Sequence, residues 1–295
     1  MDQDVNTPSR VSSAPDGPVI CPISAHPGFA AAVRHSTTGP LALLDRDPSF
    51  YRCIGDIPSY ALGVLALYLH STDRLYHRGL RNVAKDLFSP GRATAILSRM
   101  QTIGLIVPID AFEKGRQRRY SPAPAMIEAF RACYLIELQS LAMIDARAGA
   151  LVEVFDDPAI FDGIIAFLAS SHLASPTLDQ ELIDPMGGVG RRSMGLMLSY
   201  ALAEAAFKVG LPRAAGAIEI TVSSLARRLG ISRPHCRRVL ILLQDAGLVS
   251  VDQKANAVTL MPAFAEALDV YFVGMFNALL AAVHHVSAER LRGSR

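Results

Sequence analysis

One pattern of residues occurs twice in this chain. Ala84, Leu87, Ser89, Leu97, Gln101, Gly104, Leu105 and Pro122-Ala123 are matched by Ala226, Leu229, Ser232, Leu240, Gln244, Gly247, Leu248 and Pro262-Ala263. From Ser to Gly the two stretches align without a gap. A period this long is far from the short repeats of solenoids, so it points to a duplicated domain. A chain of 295 residues is long enough for two domains of ordinary size.

Each copy reads as a helix-turn-helix followed by a hairpin. Ser89 and Ser232 stand where a helix N-cap belongs, because a Ser oxygen can accept from the free N–H groups of the first turn. Pro90 and Pro234 follow within that turn, where a missing N–H costs little. Ala93, Ile96, Leu97 and Met100 form a helical stripe, and Cys236, Val239, Leu240 and Leu243 occupy the same positions in the second copy. Gly104 and Gly247 end the helices as C′ residues. The expected strands are Leu105–Ile109 with Arg118–Ser121, and Leu248–Val251 with Val258–Leu260. Asp110–Gln117 and Asp252–Ala257 are their tips.

Charge follows the repeat. The whole chain is only +2, yet residues 73–121 carry +6 and residues 223–261 carry +4, leaving the remainder at −8. Positive charge confined to two repeated units is the footprint of a phosphate-contacting surface. The candidate DNA-contacting residues in the first copy are Ser89, Arg92, Thr94 and Arg99, with Lys114, Arg116, Arg118 and Arg119 on the wing. In the second copy they are Ser232, Arg233, His235, Arg237 and Arg238. The first turn of such a helix reaches base edges, where Arg pairs with guanine and Thr meets a thymine methyl. A basic hairpin tip lies along a backbone or in a minor groove. The plain alternative for the arginines is a solvated helix face.

These features resemble winged-helix regulators of the MarR type: the helix-turn-helix Val83–Ile103, the strand Leu105–Ile109, the basic wing Asp110–Arg119 and the long helix after Pro122. The resemblance covers most of 58–144 and again most of 192–286. Members usually carry one unit per chain and dimerise through terminal helices, so it implies two fused units, an intramolecular pseudo-dimer. It also implies a ligand pocket between the dimerisation helices and the DNA-binding lobe, hence a small-molecule effector that the sequence does not identify. The second copy departs from the pattern. Its wing tip has one Lys and no Arg, and Val239–Leu243 is apolar throughout, which leaves no clean exposed face.

The expected fold is mainly α with small β-wings. Its parts are a flexible arm at 1–40, a first winged-helix unit at 41–155, a helical linker and loop at 156–190, and a second unit at 191–295. Helices 124–155 and 263–290 should pack together and hold the lobes in a near two-fold arrangement. Recognition helices about 34 Å apart would then enter successive major grooves over an imperfect inverted repeat. The expected function is sequence-specific binding of double-stranded DNA by a transcriptional regulator, a repressor by the habit of the resembled family, acting as a pseudo-dimeric monomer or a homodimer. The alternatives are a plasmid-type replication initiator and a winged-helix protein-interaction scaffold.

Other chemistries have little support. Cys21, Cys53, Cys133 and Cys236 form no CxxC, which fits a reducing cytosol. Cys236 reads as a packing residue, although Arg237 and Arg238 beside it would suit a redox switch. The eight His show no metal-ligand spacing. Gly187–Ser193 lacks the order of a phosphate loop. No nucleophile triad stands out, so the expectation is a non-enzyme without cofactor or metal. The most apolar stretch, 267–283, reads as a buried association helix rather than a membrane span. The expected location is cytoplasmic, with no membrane partner.

Overall fold

The computed structural model describes residues 23–85, 89–109, 119–174, 186–211, 214–252 and 257–293. After a 3-10 turn at Ile23–Ala25 come α1 (Phe29–Arg46), α2 (Pro48–Ile54), α3 (Ile57–Ser71), α4 (His77–Ala84) and α5 (Pro90–Thr102). The hairpin β1 (Ile106–Pro108) and β2 (Tyr120–Pro122) leads to α6 (Pro124–Leu141), α7 (Ala146–Val152) and α8 (Pro158–Ala174). The chain continues with α9 (Gly187–Gly190), α10 (Gly195–Lys208), β3 (Gly216–Glu219), α11 (Val222–Leu229) and α12 (Arg233–Asp245). It closes with β4 (Val249–Asp252), β5 (Ala257–Leu260) and α13 (Pro262–Gly293). The molecule is thus mainly helical with two small antiparallel sheets, β1-β2 and β3-β5-β4.

The order α4-α5-β1-β2-α6 returns as α11-α12-β4-β5-α13. Local chemistry also recurs. The Ser89 hydroxyl accepts from the Arg92 N–H at 3.3 Å, and the Ser232 hydroxyl accepts from the His235 N–H at 3.3 Å. Gly104 and Gly247 take φ +75° and +71°, the left-handed conformation that ends a helix without a Cβ penalty. Strand β3 lies beside β5, while in the first copy a single bridge, Tyr76 to Arg119, holds the equivalent place. Asp56 caps α3 by accepting from the Ser59 N–H at 2.9 Å. The Thr221 hydroxyl caps α11, accepting from the Ser224 N–H at 3.0 Å.

The expected arm at 1–40 is helical from Phe29 onward. Gly39-Pro40 reads as a break, because Pro removes an i→i−4 hydrogen bond. Burial overrides it: Phe29, Ala32, Val33, Leu41 and Leu44 all face the core. The expected continuous helix over 124–155 is broken at 142–145, where the Asp145 carboxylate accepts from the Arg147 N–H at 2.8 Å and starts α7.

Packing interlocks the two halves. Helix α1 packs on α6 of its own half and on α10 of the other. Helix α8 packs on α13 of its own half and on α3 of the other. The terminal helices α6 and α13 do meet, but α7 and these crossing helices mediate most of the contact. Buried side chains from both halves form one continuous core. Helix α13 is long and apolar enough to cross a membrane by length and composition alone. In the fold its Phe264, Phe272, Phe276 and Val283 are fully buried.

Candidate functional site

The sequence-predicted contact residues divide by direction. On α12, Arg233, Arg237 and Arg238 are exposed, and among the described residues none has an ion-pair partner. Ile241 is 52% exposed on the same side, while Val239, Leu240 and Leu243 are buried. The apolar run therefore does leave an exposed face, because helical spacing splits it.

On α5, Thr94 is exposed and its hydroxyl donates to the Pro90 carbonyl at 2.9 Å. Arg92 and Arg99 are half-exposed and lean on neighbouring elements. Arg92 lies 3.7 Å from the buried carboxylate of Asp56 and donates to the Arg191 carbonyl. Arg99 approaches the Arg52 carbonyl at 3.5 Å. Arg119 pairs with Asp73 and sits 6.0 Å from the Tyr76 ring centre. Lys114, Arg116 and Arg118, with the rest of that wing tip, lie outside the described residues, as does the second tip at 253–256.

His235 holds the place in α12 that Arg92 holds in α5. Its Nε2 contacts the Ser193 carbonyl at 2.8 Å. Two side chains and residues 191–193 therefore join the first turns of the two helices. That path is roughly 25 Å at full extension. The expectation of about 34 Å between reading helices is not met by these turns. Helix α2 lies in the same seam: a Cβ at Gly230, before α12, would stand 2.5 Å from Arg52 Nε.

A second feature lies where the halves interlock. A cavity of about 200 Å³ is lined by α1, α2, α3, α6, α8, α10 and α13. Five tyrosines face it: Tyr51, Tyr60, Tyr134, Tyr200 and Tyr271. Three of their hydroxyls are engaged with the wall. Tyr51 meets Cys133 Sγ at 3.1 Å and Tyr200 donates to Tyr271 at 3.4 Å, while the Tyr60 and Tyr134 rings lie 6.3 Å apart, centre to centre. Burial raises all five phenols above their ordinary range and pushes Cys133 up to about 12.

The ionisable group among them is Glu137. Its carboxylate accepts from the Ser36 hydroxyl at 2.5 Å, and burial raises its pKa to about 8 against the opposing pull of that bond. Sequence reasoning missed this residue. The available signal was a lone acid among Tyr134, Leu135, Ile136 and Leu138, one turn from Cys133 and Tyr134. Thiol chemistry has less to build on. Cys53 and Cys236 are buried, and burial raises each to about 11, away from the reactive thiolate. Among the described residues no three His, Cys, Asp or Glu side chains gather as a metal site. No family model, curated protein or solved structure matches the chain.

Proposed function

We propose that the protein binds double-stranded DNA sequence-specifically and regulates transcription. In this reading it consists of two fused winged-helix units that resemble the MarR type, and α12 is its principal reading helix. The observation that carries the proposal is the exposed row Arg233, Arg237 and Arg238 on a Ser-capped helix followed by a hairpin. Guanidinium groups with no ion-pair partner among the described residues are available to guanine edges and phosphates. The recurrence of helix, Ser-capped helix, left-handed Gly and hairpin in both halves supports the duplication.

The halves contribute unequally. The exposed residues of α5 include Gly91, Thr94, Ala95 and Ser98, while Arg92 and Arg99 are half-exposed and tethered to the Arg191 and Arg52 carbonyls. Its share of binding rests on the wing residues Lys114, Arg116 and Arg118. The short path between the first turns of α5 and α12 disfavours simultaneous entry into two successive grooves in this conformation. One α12 per chain, paired through a second copy, reads an inverted repeat more readily.

The test is selection of fragmented genomic DNA by the purified protein, with sequencing of what is retained. An enriched motif near promoters is expected. Affinity should fall steeply with salt through released counterions. Arg237→Ala should weaken the selected site by about tenfold or more, the size of one lost base contact. Arg92→Ala should leave the sequence preference unchanged and lower the melting temperature instead. Iterated sites at an origin would favour the replication initiator. Absence of any enriched sequence, with salt-insensitive capture of protein partners, would replace the proposal with the scaffold reading.

A further inference from the structure

The cavity between the halves has a chemistry that selects its occupant. Its wall is apolar apart from the tyrosines, Cys133 and Glu137. Among the described residues no Lys, Arg or His lines it, so an anion would find no counter-charge there and would face a carboxylate. Tyr51 bonds Cys133 and Tyr200 donates to Tyr271, so three of the five phenols are tied to the wall, and all five tyrosines line the cavity. Ring faces carry negative potential and attract cations, most strongly where water is excluded. Glu137 has Ser36 as its hydrogen-bond partner and no cationic partner among the described residues.

We propose that this cavity binds an organic cation, an ammonium group on an apolar body, with Glu137 as counter-charge and the tyrosine rings as its cage. The groups facing the carboxylate are Ser36 from α1, Cys133 and Tyr134 from α6, Tyr51 from α2, Tyr60 from α3, Tyr200 from α10 and Tyr271 from α13. His35, bonded to Ser140 at 2.8 Å, stands one turn further along the α1–α6 contact. With the phenols and Cys133 held neutral by burial, Glu137 is the cavity-lining group that ionises near neutral pH. A bound cation favours that ionisation, so binding releases a proton and tightens as pH rises towards 8. The inference is independent of DNA binding.

The probe is benzyltrimethylammonium, compared with neopentylbenzene, which has the same shape without the charge. The chain has no Trp, and five of its eight Tyr line the cavity, so tyrosine emission reports mainly on the cage. At pH 8.5 the cation should bind the full-length protein about tenfold or more tighter than its isostere, as a desolvated cation–π cage with a counter-charge implies. Glu137→Gln should erase that preference, while isostere affinity stays within about twofold since the cage shape is kept. Equal affinity for cation and isostere, no binding of the cation, or an undiminished preference in Glu137→Gln would each overturn the proposal. If Glu137→Gln fails to fold, the cation-to-isostere ratio in the unmodified protein decides alone.

Discussion

Glu137 stores a pH dependence of stability. In the folded chain burial holds its proton up to about pH 8, whereas an unfolded glutamate releases it near 4.5. Between those values the folded state binds more protons than the unfolded state. Stability therefore falls as pH rises from about 5 to 8, by up to about 1.4 kcal/mol per pH unit from this group. Glu137→Gln keeps the shape and removes the titration. Urea unfolding at pH 5, 6, 7 and 8 should show that component of the slope in the parent and its loss in the variant, with the variant more stable at pH 8. Identical slopes would mean that the carboxylate is hydrated. The same scale shows what periodicity conveys about a single residue. Arg92 and Arg99 read as outward DNA contacts from the sequence, yet they border the stripe Ala93, Ile96 and Met100 and are half-buried. Their partners, Asp56, Arg191 and Arg52, are distant in sequence and were not legible in it.

At the level of elements, short-range chemistry was readable where one residue type has one job. Ser89 and Ser232 as caps, Gly104 and Gly247 as helix ends, and the strands that follow required only local arguments. Helix α1 was illegible because its local signals oppose its state. Gly39 and Pro40 disfavour a helix, yet Gly39 lets α1 approach α6 so closely that a Cβ there would stand 2.4 Å from Ile136 Cγ2. Gly39→Ala gains up to about 1 kcal/mol of helix propensity. It also forces a β-branched side chain in a packed core to move, at a cost of about 1–3 kcal/mol. Overpacking should win, with a melting temperature below that of the parent. Gly91→Ala, in α5 with nothing within 4 Å of the added Cβ, should be neutral or stabilising. A more stable Gly39→Ala would show that the α1–α6 contact is looser than this geometry.

For the whole molecule, the repeat in sequence did not announce that the halves exchange helices. Each unit by itself lacks the cover for its central helix: α10 receives α1, and α3 receives α8. An ionic tie crosses in the same place, where Arg228 of α11 pairs with Glu204 of α10 and, at 3.0 Å, with Asp45 of α1. The tyrosine cavity also draws its wall from both halves. Two domains joined by a plain linker would unfold in separate steps, as multidomain chains commonly do. Here the loss of either half uncovers the central helix of the other, and one shared core leaves no boundary at which to stop. Hydrogen exchange at increasing denaturant should therefore release the amides of α3 and α10 at one midpoint, with α1 and α8 released no later. Two midpoints, one for each copy of the repeat, would show that the crossing helices detach without cost and that the units are independent domains.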